Sequence, residues 1–96
     1  MLPALVLALA VSHCPTDRPA PTLHIETFQS GKPLLGWFWP GGTVQGGADD
    51  IYVSPEAKTF ASVVIAHEVG HWCAYWTGGP WRSERYAQRY ERKVLG

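Results

Sequence analysis

The sequence predicts a small α+β domain, and three observations support this fold class. The chain has 96 residues, which is the length of one compact domain with a limited core. Its middle part contains short β-prone segments separated by prolines and glycines. Its last part contains a long apolar segment and a more polar one, separated by Thr77-Gly78-Gly79-Pro80. We therefore expect a single domain over residues 1–96, with helices around a three-stranded, mainly antiparallel sheet.

The first predicted element is a short helix in the apolar segment Leu2–Ser12. This segment resembles the centre of a signal peptide, but it has no Lys or Arg ahead of it, and Ala8-Leu9-Ala10 comes too early for a cleavage site. It is also too short to span a bilayer. We predict that the helix packs on the domain, that Pro15 ends it and that a proline-rich connector follows to residue 22. We expect a cytoplasmic protein; secretion is the alternative if Leu2–Ser12 is a signal segment.

The sheet is predicted within residues 23–54. Alternating or aromatic β-prone residues between turn residues are typical of strands. We expect the first two strands to pair antiparallel through a turn at Gln29–Pro33, and a mobile, glycine-rich loop at Gly41–Ala48 to lead into the third. The three predicted strands are Leu23–Phe28, Leu34–Trp39 and Asp49–Ser54.

Two helices are predicted after the sheet, over residues 55–76 and 81–95. Ser54 is suited to cap the first helix, and Pro55 is suited to its first position. Apolar residues cover almost every direction around this helix, which indicates that it is buried on most sides. The glycines and proline of residues 77–80 end it, and the last helix begins near Ser83.

The buried helix carries His67-Glu68-Val69-Gly70-His71, an H-E-x-x-H motif. Histidines four positions apart project from one helix face and can bind a single metal ion, while Glu68 lies beside that ion. Burying two histidines and a glutamate costs free energy unless a partner compensates, and a metal does so. Zinc accepts imidazole and carboxylate ligands and keeps a position open for water at hydrolytic sites. The motif therefore predicts a zinc site, in which Gly70 allows close approach of another backbone or a substrate.

A third ligand is expected on the last helix, where Glu84 and Glu91 are the candidates. Either carboxylate would complete a set of two histidines and one acid. Glu84 lies in about the first turn after the break, where the last helix returns toward His71, and Glu91 lies nearly two turns further on. We therefore favour Glu84.

The motif together with Glu84-Arg85-Tyr86-Ala87-Gln88-Arg89-Tyr90 resembles the gluzincin metallopeptidases. It is most similar to their small minimal-scaffold members and to the ImmA/IrrE-type proteins, which carry H-E-x-G-H and then E-x-x-A-[D/N]-x-[F/Y] on the next helix. The specific part of this resemblance is confined to residues 67–90. One departure is Gln88, which cannot supply the negative charge of the Asp that the family often has there.

The resemblance implies a zincin-like fold and a zinc-dependent endopeptidase that binds one Zn²⁺. It implies that His67, His71 and Glu84 hold the zinc, that Glu68 is the general base for peptide hydrolysis and that Asp49–Ser54 forms the strand at the cleft edge. An oxyanion donor is also expected. Its candidates are the tyrosines and arginines near the motif, and none is assigned: Tyr75, Tyr86, Tyr90 and the Arg residues.

Composition excludes some classes of partner. Eight Lys and Arg balance eight Asp and Glu, so no nucleic-acid or membrane partner is expected. The basic cluster near the C-terminus is interpreted as the solvated face of a helix: Arg82, Arg85, Arg89, Arg92 and Lys93. We expect a monomer that acts on a peptide or protein substrate. Cys14 and Cys73 permit one disulfide, but we favour a buried free thiol for Cys73.

Three hypotheses remain open from the sequence. The first is an active zinc endopeptidase, the second is a zinc-stabilised binding or regulatory module with little or no peptidase activity, and the third is a structural domain with an accidental motif. The five tryptophans suggest carbohydrate or base stacking as another class, but we favour core positions for them. Trp37 and Trp39 share a strand face and could line a cleft.

Overall fold

The computed structural model describes residues 2–27, 34–41 and 49–96, which form an α+β domain as predicted. Among these residues, no helix combines the length and the apolar character needed to cross a membrane. The predicted turn at Gln29–Pro33 and most of the predicted loop Gly41–Ala48 lie outside the described residues. The described elements are α1 (Pro3–Ser12), β1 (Thr22–Ile25), β2 (Gly36–Trp39), β3 (Asp50–Val53), a 3₁₀ segment (Pro55–Phe60), α2 (Ala61–Thr77) and α3 (Glu84–Leu95).

The sheet is mixed, and the expectation of a mainly antiparallel sheet is wrong. Its strand order is β1-β3-β2, with β3 parallel to β1 and antiparallel to β2. The predicted pairing of the first two strands does not occur. On β3, Ile51 and Val53 are fully buried, so the central place belongs to the strand that buries two large apolar side chains. The chain between Ile25 and Asp50 is long enough for the crossover that a parallel pair requires.

The helix predicted over residues 55–76 is divided in two. Ser54 caps its start as predicted, because its hydroxyl accepts a hydrogen bond from the Glu56 amide at 3.2 Å. The first six residues form the 3₁₀ segment, within which Lys58 has a non-helical backbone (φ 50°, ψ −117°). The regular helix α2 begins only at Ala61. The separation leaves Phe60 65% exposed, although its apolar character predicted burial.

The break between α2 and α3 follows the sequence prediction. Gly78 ends α2 with a left-handed backbone (φ 79°), a conformation that costs glycine little. The amide of Gly79 donates a hydrogen bond to the Ala74 carbonyl at 2.8 Å. Ser83 caps α3 by accepting a hydrogen bond from the Tyr86 amide at 3.2 Å. This short connection returns α3 along α2.

The core lies between α2, the sheet and the N-terminal helix. Trp72 of α2 is fully buried, and Val6 and Ala10 of α1 pack into the same cluster. The Tyr90 hydroxyl of α3 donates a hydrogen bond to the Ala10 carbonyl at 2.6 Å. The prediction that Leu2–Ser12 forms a helix on the domain is therefore confirmed.

A buried carboxylate joins the sheet to α2. Asp49 is fully buried and accepts hydrogen bonds from the indole nitrogens of Trp72, at 3.1 Å, and Trp76, at 2.6 Å. Arg18 lies 3.8 Å from the same carboxylate, and its guanidinium stacks on Trp76. A buried carboxylate is costly unless it is paired and hydrogen-bonded, and these contacts meet that requirement.

Cys14 and Cys73 form a disulfide, so the expectation of a free thiol at Cys73 is wrong. The packing of α1 against α2 brings the two Cα atoms within 5.7 Å of each other. The two cysteines are 59 residues apart in the sequence, and only the tertiary structure brings them together. The residues next to each cysteine in the sequence give no indication of this contact.

We predict that the Cys14→Ala/Cys73→Ala double variant unfolds more easily than the oxidised wild type. Loss of a cross-link that closes a loop of this length should lower the free energy of unfolding by about 4 kcal/mol. Urea titration followed by circular dichroism measures this difference. Wild type reduced and alkylated under native conditions should show a similar loss, and an unchanged unfolding midpoint in both samples would contradict the prediction.

Candidate metal centre

His67 and His71 lie one turn apart on α2 and converge on one carboxylate. Their ring centroids are 5.0 Å apart. Nε2 of His67 lies 2.7 Å from Glu84 Oε2, and Nε2 of His71 lies 2.9 Å from Glu84 Oε1. Glu84 is the first residue of α3, directly after the Ser83 cap. The connection between the helices thus brings together the three residues that the sequence analysis favoured as ligands.

Hydrogen bonds on the opposite side of each imidazole orient the two rings. Nδ1 of His71 donates to the Trp81 carbonyl at 2.6 Å, because a carbonyl can only accept. Nδ1 of His67 lies 3.1 Å from Glu91 Oε1. Both rings therefore direct Nε2 toward the point that Glu84 occupies, which is the arrangement needed for metal-binding histidines.

Gly70 permits the close packing of α2 against α3 at this site. A Cβ atom at residue 70 would lie 2.9 Å from Tyr90 Cβ and 3.1 Å from Ala87 Cα. The second of these atoms belongs to the backbone, so any larger residue would push α3 away. The close approach anticipated for Gly70 is thus made by α3.

The cluster could hold a metal ion. One donor atom from each of His67, His71 and Glu84 lies within 4.8 Å of the others. Two imidazole nitrogens and one carboxylate oxygen form a ligand set that suits zinc at a site with an open position. The Glu84 side chain is 68% exposed, so it has room to adjust its position when an ion binds.

Glu68 lies beside the cluster without belonging to it. Its side chain is 8% exposed and borders the cleft next to the two histidines. Burial raises the pKa of Glu68 to about 7 and outweighs the lowering effect of the His67 charge, while the charges of Glu84 and Glu91 add smaller increases. A carboxyl group with a pKa near 7 can both accept and release a proton at neutral pH.

Strand β2 holds Glu68 in place. A Cβ atom at Gly36 would lie 2.7 Å from Glu68 Oε2 and 2.5 Å from Val64 Cγ1. The strand therefore passes so close to α2 that only glycine fits opposite the carboxylate. No sequence pattern indicates this role for Gly36, because its partner lies 32 residues away in the chain and only the folded structure brings the two together.

The charges around His67 affect its own titration. Burial lowers the pKa of this histidine, but the hydrogen bond to Glu91 and the negative charges of Glu68 and Glu84 outweigh that effect. The pKa of His67 is therefore above its ordinary value of 6.5.

A cleft of about 550 Å³ opens beside the cluster. The strand on its wall is β2, and the expectation that Asp49–Ser54 forms the cleft edge is wrong. Because β3 pairs with β1 on one side and β2 on the other, it has no free edge. Within the described part of the chain, β2 pairs with β3 alone, so its second edge carries no strand. The cleft is lined by Leu34, Leu35, Gly36, Trp37, Phe38, Val63, Val64, His67, Glu68, His71, Trp81, Arg82 and Glu84.

The remaining candidates lie in the cleft, in the core or at a second pocket. The Tyr90 hydroxyl donates a hydrogen bond to α1, Tyr75 packs edge-on against Phe38, and Tyr86 lines a separate pocket beside Cys73. Among the proposed oxyanion donors that the structure describes, Arg82 is the one that lines the cleft. The tryptophans also divide: Trp72 is core, Trp76 and Trp81 pack against the core, Trp37 lines the cleft, and Trp39 is 54% exposed.

Comparison of the chain with protein-family models, with curated proteins and with solved structures finds no match. The resemblance to gluzincins therefore stays a prediction, which rests on the motif and on the geometry described above.

We predict that the metal-free protein becomes less stable as the pH rises from about 4.5 to about 7. The pKa of Glu68 is raised from 4.5 to about 7, so between these pH values this group binds more protons in the folded state than in the unfolded state. Its contribution to the free energy of unfolding is therefore complete below pH 4.5 and is lost as the pH rises through 7. The raised pKa of His67 acts in the same direction above pH 6.5. The Glu68 contribution is on the order of 3 kcal/mol, since each pKa unit corresponds to about 1.4 kcal/mol.

Denaturant unfolding in excess chelator at several pH values tests this dependence. The Glu68→Gln variant, which has no carboxyl group at that position, should show a flatter dependence over the same range. Equal slopes for the two proteins would rule out a raised pKa at Glu68.

Proposed function

We propose that the protein is a zinc-dependent metallopeptidase that hydrolyses peptide bonds. The observation that carries this proposal is the convergence of His67, His71 and Glu84 on one point, with the buried carboxyl group of Glu68 beside them at the wall of an open cleft. Neither a structural metal site nor an accidental motif requires a fourth, proton-accepting group that faces a cleft.

The roles of the residues follow from their positions. His67, His71 and Glu84 would hold the zinc, which when bound supplies Lewis-acid activation of water and of the scissile carbonyl. Glu68 accepts a proton from the attacking water and delivers it to the leaving amine. Arg82 stands on the cleft wall, where a cation can stabilise negative charge that develops on the substrate.

The cleft suits an extended peptide. Among the described strands only β3 pairs with β2, and at the other edge of β2 a peptide strand can form backbone hydrogen bonds. Beside it lie the side chains of Leu34, Leu35 and Val63, which are 40%, 43% and 41% exposed. Partly exposed apolar side chains that line a cleft favour apolar substrate residues. A peptide or protein is therefore the proposed substrate.

The disulfide bears on the proposed compartment. A bond between Cys14 and Cys73 persists in oxidising environments and is rare in the cytosol. It favours an oxidising compartment over the cytoplasmic location expected from the sequence.

We predict that the Glu68→Gln variant keeps its zinc and loses turnover. Removal of a general base lowers the rate by about 10² to 10⁴, whereas His67→Ala, His71→Ala and Glu84→Ala should each lose the metal. Elemental analysis of purified proteins, combined with assays against a peptide library of mixed sequence, measures both effects. If zinc-loaded wild type cleaves no member of the library, the result favours the alternative of a zinc-stabilised binding or regulatory module; a wild type without zinc contradicts both functions.

We predict that Gly36→Ala lowers turnover by about 100-fold while zinc stays bound. The added methyl group would displace the Glu68 carboxylate, and a misplacement of about 1 Å has an effect of this size. Gly79→Ala is the matched control, because a Cβ atom there would meet Ala74 at an ordinary 3.6 Å. Comparison of kcat and zinc content in the two variants makes the test. Equal kcat values would show that β2 does not position Glu68.

A further inference from the structure

We infer that Glu91 is a positioning residue, whose carboxylate orients His67 and strengthens it as a metal ligand. The inference rests on the metal site of the proposed function but not on peptidase activity. It assigns a role to the carboxylate that the sequence analysis considered only as the weaker candidate for the third ligand.

The geometry separates Glu91 from the ligands. Its Oε1 lies 3.1 Å from Nδ1 of His67, whereas Glu84 contacts Nε2 of the same ring at 2.7 Å. The two ring nitrogens point in different directions, so the Glu91 carboxylate lies on the side of the imidazole away from the metal-binding atoms. Glu91 is accordingly outside the cluster of atoms that could share one ion.

The two carboxylates also differ in burial. The Glu91 side chain is 17% exposed, whereas that of Glu84 is 68% exposed. A hydrogen bond that is largely shielded from water is electrostatically stronger and holds its geometry better than an exposed one. Glu91 can therefore keep His67 in one orientation whether or not Glu84 moves to bind a metal.

The position of Glu91 on α3 follows from helix geometry. Seven residues separate it from Glu84, which corresponds to nearly two turns and places both side chains on one face. One face of α3 thus carries the proposed ligand Glu84 at the first residue of the helix and the orienting carboxylate of Glu91 two turns later. Gln88 lies between them but is exposed, and the structure shows no hydrogen bond from it to either histidine.

The groups that face Nδ1 of the two histidines differ in charge. His71 donates to a neutral carbonyl, that of Trp81, whereas His67 faces a carboxylate. An anionic acceptor at Nδ1 fixes the proton there and increases the electron density at Nε2, which raises the affinity of that nitrogen for a cation. Loss of such a partner typically weakens metal affinity by about 10-fold to 100-fold.

The test measures the zinc dissociation constant by competition with a chelator for the full chain and three variants. Glu91→Ala should weaken zinc binding by about 10-fold to 100-fold. Glu91→Gln keeps an acceptor oxygen without the charge and should weaken it less. Gln88→Ala, on the same helix face, is the matched control and should bind zinc as wild type does. The nearly isosteric Gln variant keeps the test informative if the Ala variant does not fold.

A second readout follows the imidazole protons of the zinc-loaded protein by nitrogen-15 NMR. In wild type, the Nδ1 protons of His67 and His71 should both be protected from exchange with water. Glu91→Gln should reduce the protection at His67 and leave that at His71, whose acceptor is the Trp81 carbonyl. A change that affects only the stability of the fold would alter both protons together.

Three outcomes would overturn the inference. Unchanged zinc affinity in Glu91→Ala would show that the carboxylate has no influence on His67. Complete loss of zinc, equal to that of Glu84→Ala, would show that Glu91 is itself a ligand. Absence of zinc binding by wild type would remove the metal site on which the inference rests, whereas zinc binding without peptide cleavage would leave the inference intact and contradict only the proposed peptidase activity.

Discussion

The contact between α2 and α3 at Gly70 is the constraint on which the candidate site depends. Because residue 70 has no side chain, the backbone of α3 at Ala87 approaches α2 closely enough for Glu84 and Glu91 to reach the histidines. The convergence of His67, His71 and Glu84 is therefore a product of helix packing. A wider separation of the helices would leave the same five-residue motif on α2 without the Glu84 carboxylate and without the carboxylate that faces Nδ1 of His67.

A domain of this size needs more than apolar burial to hold such a polar site together. The Cys14–Cys73 disulfide joins the segment after α1 to α2, two residues beyond His71, and the buried Asp49 joins the start of β3 to α2 through two indole nitrogens. Both connections end on the helix that carries the motif. The disulfide and the Asp49 hydrogen bonds thus stabilise α2, the helix on which burial of the polar side chains of Glu68 and His71 costs free energy.

Local chemistry predicted the features that depend on neighbouring residues well, whereas the tertiary pairings were predicted poorly. The spacing of His67 and His71, the cap at Ser54 and the break at Gly78 depend on residues within one or two turns of each other, and the structure has all three as predicted. Strand order and the disulfide depend on contacts between distant segments. No alternation pattern within a strand distinguishes a central position from an edge position when each strand is four residues long.

The role proposed for Glu91 depends partly on local helix spacing and partly on the tertiary contact between α2 and α3. The resembled family pattern directs attention to Gln88, four residues after Glu84, and Gln88 cannot supply a negative charge. A spacing of seven residues places a side chain on the same helix face as a spacing of four does, but one turn further along. An acid at that spacing can reach the first histidine of the motif wherever the two helices stay in contact over two turns, as α2 and α3 do through Ala87 and Tyr90. The charge that residue 88 lacks is therefore available from the next turn of the same helix.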